Sequence, residues 1–196
     1  MLPKTINPGN FSNRNEFINQ ANDDFMTTVC DKDIREKFNG KFIYVDARDW
    51  VEDKLDIFWH IAGLEEDDQI TIYPCSNDPI MLLCGRNCNT REWVVETRTK
   101  SKAVCLYRAA RVTWINAILK HVNSNNSCVK VWIERGRTFI RYENGLDDFV
   151  IILEKMSKNP NMYKLVTAYP VFFISQKRNF DKQYLRYVSS ENSIKK

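Results

Sequence analysis

The stretch Asp148-Phe149-Val150-Ile151-Ile152-Leu153 decides the fold. It is apolar on both of its alternating faces, as a central strand covered from both sides must be. Reading outward, Asn144-Gly145 supplies a turn ahead of it and residues 137–142 a strand before that turn. Arg135-Gly136 links this strand to another over residues 128–134. Downstream, residues 163–169 alternate, with Tyr163, Leu165, Thr167 and Tyr169 on one side and Lys164, Val166 and Ala168 on the other. The hydroxyls of Thr167 and Tyr169 are thereby expected on one face. Ahead of the strands, Asn123-Ser124-Asn125-Asn126-Ser127 is a polar loop, and residues 105–122 have helical periodicity. Arg108, Arg111, Val112, Ile115, Ile118, Leu119 and Val122 share one stripe of that helix. The expected fold class is α+β: a helical and short-strand N-terminal part, then a helix plus a four-stranded antiparallel sheet.

The N-terminal part reads less sharply. Residues 1–12 resemble a loose arm, and Ser12 or Asn13 caps a helix reaching about Met26, with Phe17, Ile18, Ala21 and Phe25 on its inner face. A short helix is expected over 31–38, a strand over 41–46, and a helix over 49–61 that Gly63 stops. Two short strands, 69–73 and 80–84, flank a turn, and 92–98 alternates like a strand. The expected division is a lobe over 1–100, a core over 101–190 and a disordered tail over 191–196.

With 196 residues, 43% of them hydrophobic and 12% aromatic, the chain can bury a substantial core. Nothing approaches the roughly 18 consecutive apolar residues of a membrane span, and the start lacks a signal-peptide stretch, so a cytoplasmic protein is expected. The 6 cysteines show no zinc-like pairing; Cys75, Cys84 and Cys88 read as buried small residues, although a small metal site there is conceivable. Neither a metal nor a cofactor is expected. The formal charge of +4 is mild, but basic residues recur from Arg135 onward and cluster at Lys177, Arg178, Lys182 and Arg186. The C-terminal half is the part suited to an anion.

Dinucleotide, P-loop, zinc-hydrolase and serine-hydrolase motifs are all missing. Of the two histidines, His121 sits near a helix end, where a positive charge suits the dipole. His60 lies beside a backbone break at Gly63 and reads either as a half-buried structural residue or as an acid/base. Arg108 and Arg111, one turn apart on a stripe otherwise buried, either grip a phosphate or pair with Glu134, Asp147 or Asp148. Trp114, Trp132, Tyr142 and Tyr169 either stack on bases or fill the core.

The run Cys105-Leu106-Tyr107-Arg108-Ala109-Ala110-Arg111-Val112-Thr113-Trp114-Ile115, followed by four strands ending in Leu165-Val166-Thr167-Ala168-Tyr169-Pro170, resembles the phage-associated barnase/EndoU/colicin/RelE-like (BECR fold) nuclease domains. Phe58-Trp59-His60-Ile61-Ala62-Gly63-Leu64 looks like a histidine-containing segment that precedes that core in some phage-type members. The resemblance covers about residues 56–187. It implies a toxin-like, metal-independent RNA endonuclease of phage or prophage origin, acting in the host cytoplasm by 2′-hydroxyl attack on the adjacent phosphate. It assigns catalytic work to His60, Arg108, Arg111, Thr167 and Tyr169, and substrate contact to Trp114, Trp132, Arg141 and Tyr142. RNA is the implied partner, with tRNA one candidate; whether an inhibitor protein accompanies it is open, and no membrane is involved. The alternative is a non-catalytic RNA- or protein-binding regulatory phage protein.

Overall fold

A computed structural model describes residues 1–65, 75 and 78–194, with side chains described to Ser190. In chain order its elements are α1 (Arg14–Phe25), β1 (Phe42–Tyr44), β2 (Trp50–Val51), β3 (Lys54–Leu55), α2 (Asp56–Ala62), β4 (Gly63–Glu65), α3 (Ile80–Cys84) and α4 (Asn87–Thr90). There follow β5 (Val94–Glu96), β6 (Ser101–Val104), α5 (Leu106–Ala109), α6 (Trp114–Asn123), β7 (Val129–Glu134), β8 (Arg137–Asn144), β9 (Asp147–Lys155), β10 (Met162–Pro170) and α7 (Ile174–Ile194). The α+β class is as expected. No described helix is long and apolar enough to cross a membrane.

The chain divides into two compact units, Met1–Arg35 with Val45–Ala117, and Glu36–Tyr44 with Ile118–Lys196. The boundary expected at residue 100 is displaced because β6 pairs with β4 and β5, which holds it in the first unit. Likewise β1 pairs with β10, which draws Phe42–Tyr44 into the second.

In the first unit, α1 starts where expected. The Asn13 side chain accepts from Asn15 N and Glu16 N, both at 3.0 Å, while Glu16 Oε2 accepts from Ser12 N at 2.9 Å. This reciprocal cap satisfies donors that the first turn cannot. Phe17, Ile18, Ala21 and Phe25 are buried, and Phe25 meets Phe58 of α2 with ring centroids 5.8 Å apart.

Several expectations for residues 31–84 are corrected. No helix spans 31–38; those residues turn and end in a bridge between Phe38 and Lys41. The helix expected over 49–61 begins only at Asp56, because Glu52 and Asp53 both adopt positive φ (46° and 59°) and fold 50–55 into the β2–β3 hairpin. Ile80–Cys84 is helical rather than a strand, with Asp78 Oδ1 accepting from Ile80 N at 3.0 Å at its start. The strand expected over 69–73 lies outside the described residues.

The long helix expected over 105–122 is two helices. Between α5 and α6 the hydrogen bonds shorten to an i→i−3 pattern, Arg111 N to Arg108 O and Trp114 N to Arg111 O, both at 3.0 Å. Two nearby carbonyls serve other donors: Arg111 Nη1 reaches Tyr107 O at 2.9 Å and Ile6 N reaches Ala110 O at 3.4 Å.

The second unit is a five-stranded mixed sheet of order β1-β10-β9-β8-β7. The four expected antiparallel strands are present, and β1 adds a parallel fifth beside β10. As its sequence demands, β9 lies in the middle, with Phe149 to Leu153 buried. Register places Trp132, Arg141, Val150, Ile152, Thr167 and Tyr169 on one face, and Ile140, Tyr142, Phe149, Ile151, Leu153, Leu165 and Ala168 on the other. A bulge between Leu165 and Thr167 reverses the expected alternation, so Tyr163 and Leu165 face away from Thr167 and Tyr169. α7 covers the first face through Phe180, Tyr184 and Tyr187, packed with Trp132, Val150, Ile152 and Val171. This helix continues to Ile194, past the start of the tail expected at 191.

Gly63 is needed for space and not for its dihedral angles: its φ is −107°, but a Cβ there meets Lys102 Cβ at 2.7 Å and Trp59 O at 2.8 Å. Gly63→Ala is expected to destabilise the protein by about 1–3 kcal/mol, read from urea denaturation, because backbone cannot yield as a flexible side chain can.

Candidate functional site

A group of charged side chains acts on His60, in the last turn of α2. β4 leaves that turn at Gly63, and β6 runs antiparallel to it with Glu65 opposite Lys102. Lys102 has 2% side-chain exposure, and its ammonium is 3.1 Å from Glu65 Oε1. Lys100 donates to Glu65 Oε2 at 2.5 Å. Arg108, on α5, donates from Nη1 to the carbonyl of Gly63.

These charges act on one another. Hydrogen bonding from Lys100, and then from Lys102, takes the Glu65 carboxyl from its ordinary 4.5 down to about 2 against the opposing effect of burial. Burial pushes Lys102 below its ordinary value, and Glu65 partly restores it. His60 is pulled below 6.5 first by burial, then by Lys102 and, more weakly, by Arg108, with Asp56 and Glu65 pulling the other way. At neutral pH its imidazole is accordingly uncharged and can accept a proton. An uncharged imidazole among cations suits an anionic substrate that must lose a proton.

Arg111 does not belong to this group. It is 7% exposed, with its guanidinium 3.4 Å from the centre of the Tyr107 ring, 5.0 Å from that of Trp114, and 3.8 Å from Asp78 Oδ2. Its carboxylate partner is Asp78, and not Glu134, Asp147 or Asp148. Trp114 is buried too, its indole donating to Pro3 O at 3.0 Å. This is a core arrangement, and of the expected pair of arginines it is Arg108 whose charge acts on His60.

The remaining expected residues belong to the second unit. Trp132 is fully buried, stacked on Phe139 at 5.2 Å, and donates to Gln183 Oε1 at 3.1 Å. Tyr142 is buried on the opposite face under the His121 ring, 5.7 Å away. Both are core residues rather than open stacking platforms. Thr167 and Tyr169 do share a face, the one beneath α7, where Gln176 Nε2 donates to Tyr169 Oη at 3.0 Å.

Arg141 is 1% exposed and anchors an ion network. Its Nε and Nη2 donate to the two oxygens of Asp148 at 2.8 and 2.7 Å, and its Nη1 to Asp181 Oδ1 on α7 at 2.9 Å. Lys130 bonds Glu143 at 2.7 Å, and Lys177 of α7 lies 3.1 Å from Asp148. Burial works against the Arg141 charge, but the bond and charge of Asp148 outweigh it and raise its pKa. These partners leave Arg141 as a fastener of α7 to the sheet.

Sequence reasoning missed Lys102 and Glu65. Their only signal is the alternation of Lys100 and Lys102 around Ser101 ahead of an apolar Ala103-Val104, which is a weak cue to a strand with a lysine pointing inward. Among the described residues, no group of three or more His, Cys, Asp and Glu side chains is placed to hold a metal ion. Cys75, Cys84, Cys88 and Cys105 are buried thiols; burial raises Cys105 to about 12 and Cys75 to about 11. Comparison with protein-family models, with curated proteins and with solved structures returns no match.

Two outcomes test these pairings. Glu65 contributes stability that is fully present above pH 4.5 and is lost as pH falls toward 2, so Glu65→Gln should lower the melting temperature at neutral pH and flatten the wild-type decline across that window. Asp148→Ala, which leaves the Arg141 guanidinium buried without its two-oxygen partner, should cost about 3–5 kcal/mol in urea denaturation.

Proposed function

We propose that this protein is a metal-independent RNA endonuclease in which His60 is the general base. The observation that carries the reading is an imidazole held uncharged, below its ordinary 6.5, beside the cations Lys102 and Arg108. In the proposed reaction His60 takes the proton of a ribose 2′-hydroxyl as that oxygen attacks the adjacent phosphorus. The P–O5′ bond then breaks, the 5′-oxygen takes a proton from water as it leaves, His60 gives up its own proton to solvent, and the products are a 2′,3′-cyclic phosphate and a 5′-hydroxyl. Lys102 and Arg108 supply the positive field that favours charge developing on the phosphorane. The sequence resemblance of residues 105–115 and 165–170 to BECR-fold nucleases, itself a reading of short motifs, points to the same chemistry.

A second reading, a non-catalytic RNA-binding protein, is favoured by one observation. The charge is unevenly shared: the second unit holds 16 Lys and Arg against 8 Asp and Glu, a net of +8, while the first holds 13 against 17, a net of −4. Such asymmetry suits a polyanion whether or not it is cut.

Purified protein incubated with total RNA in EDTA separates the two. Cleavage to ends bearing 2′,3′-cyclic phosphate is expected, reduced roughly 100-fold or more in His60→Ala. Arg108→Lys keeps the charge but cannot reproduce the guanidinium bond to Gly63, and should reduce cleavage less than Arg108→Ala. Because burial depresses the His60 pKa, the fall of the wild-type rate in acid should set in at a lower pH than for an imidazole titrating at its ordinary 6.5. RNA that stays intact at high protein concentration would overturn the catalytic reading.

A further inference from the structure

We propose that the outward face of α7 is a docking surface for the phosphate backbone of RNA, gripped by Arg178, Lys182 and Arg186. These three are exposed and recur every four residues, so they form one row with steps of about 6 Å along the helix. From Ile174 to Ser190 the only acidic residue is Asp181, and it faces the other way, onto Arg141 and Lys130 of the sheet. Lys177 is likewise turned inward, to Asp148. The ion network therefore consumes the helix's one described acid and one of its bases, and leaves the outer row with a surplus of positive charge. Arg186, itself exposed, lies 3.7 Å from the half-buried Glu134, a loose pair that a phosphate can displace.

Among anionic surfaces, RNA fits better than a membrane. A helix lying on a bilayer must present a broad apolar face, but Phe180, Tyr184 and Tyr187 of α7 are packed on the sheet, and the large apolar residues it leaves exposed are Ile174 and Leu185, the latter beside the basic row. A row of point charges on a rigid helix reads phosphates and not bases, so the contact is expected to be independent of sequence. The inference rests on RNA as the ligand of this protein and holds for either reading above. It goes further by naming a surface and giving it a role of its own: α7 would hold the strand and take no part in proton transfer.

Fluorescence anisotropy of the full chain with a labelled 2′-O-methyl RNA oligonucleotide tests it, since that probe lacks the attacking hydroxyl and stays intact. The triple variant Arg178→Ala, Lys182→Ala, Arg186→Ala should weaken binding roughly tenfold or more and lower the slope of log K against log salt by about 2. Its melting temperature should be unchanged, because the three side chains are exposed. A second triple, Arg135→Ala, Lys155→Ala, Lys158→Ala, removes the same charge from exposed positions outside α7 and should leave the affinity within about twofold of wild type. Equal losses in the two triples, no loss in the first, or binding to phosphatidylserine vesicles in place of RNA would overturn the proposal. Failure of the nuclease reading is separately visible: RNA intact in EDTA with binding still dependent on the α7 row removes the catalysis and keeps the surface, whereas cleavage with binding indifferent to that row does the reverse.

Discussion

Lys102 and Arg141 carry positive charge at 2% and 1% side-chain exposure, and neither can remain charged there without a carboxylate within reach. Each unit is arranged around that requirement. In the first, the antiparallel register of β4 and β6 sets Glu65 opposite Lys102, and Gly63 lets the two strands approach closely enough to bury the lysine stem. In the second, Asp148 at the start of β9 takes the fork of Arg141, and the spare donors of that guanidinium reach Glu143 and Asp181. The attachment of α7 thus begins from a charge that the sheet could not otherwise keep.

The charge requirement also separates two kinds of buried arginine. Arg111 spends its planar faces on Tyr107 and Trp114 and sits 3.8 Å from its carboxylate, a packing arrangement in which the guanidinium behaves largely as a flat, weakly hydrated ring. Arg141 spends its edges, with bidentate geometry and short distances. Neither presents a free fork to a ligand. Arg108 differs by bonding the backbone carbonyl of Gly63, at the end of the helix that carries His60, and its charge is felt at the imidazole.

The sheet was legible because its signals are local. Asn144-Gly145 and Arg135-Gly136 mark turns, and the apolar run of β9 admits only a central position. The bulge in β10 was not, since no glycine or proline marks it; Val166 simply joins the residues packed under α7. The β2–β3 hairpin was misread for a related reason: its turn puts Glu52 and Asp53 at positive φ, where asparagine or glycine would have announced it, while Trp50, Leu55, Phe58 and Trp59 mimic a helical stripe. Ile80–Cys84 shows the ambiguity of short apolar runs, which carry no period to choose between strand and helix. At the site, His60 and Arg108 could be named from the sequence because histidine is scarce and an arginine on an apolar stripe is conspicuous. Lys102 could not, because its partner lies 37 positions away and only strand pairing brings them together.

α7 shows how a single helix serves two solvents. Its inner face mixes aromatic rings with Gln176, Lys177, Asp181 and Gln183, each matched to a polar group of the sheet face that it covers. Such polar matching contributes little net stability per bond but fixes the rotation of the helix about its axis, since any other rotation would leave a buried donor or carboxylate unmet. Fixing the rotation also fixes which residues look outward. The basic row is thus a consequence of where Arg141 needs Asp181, and a change that frees Arg141 from the network would blur the outer face as well as loosen the inner one.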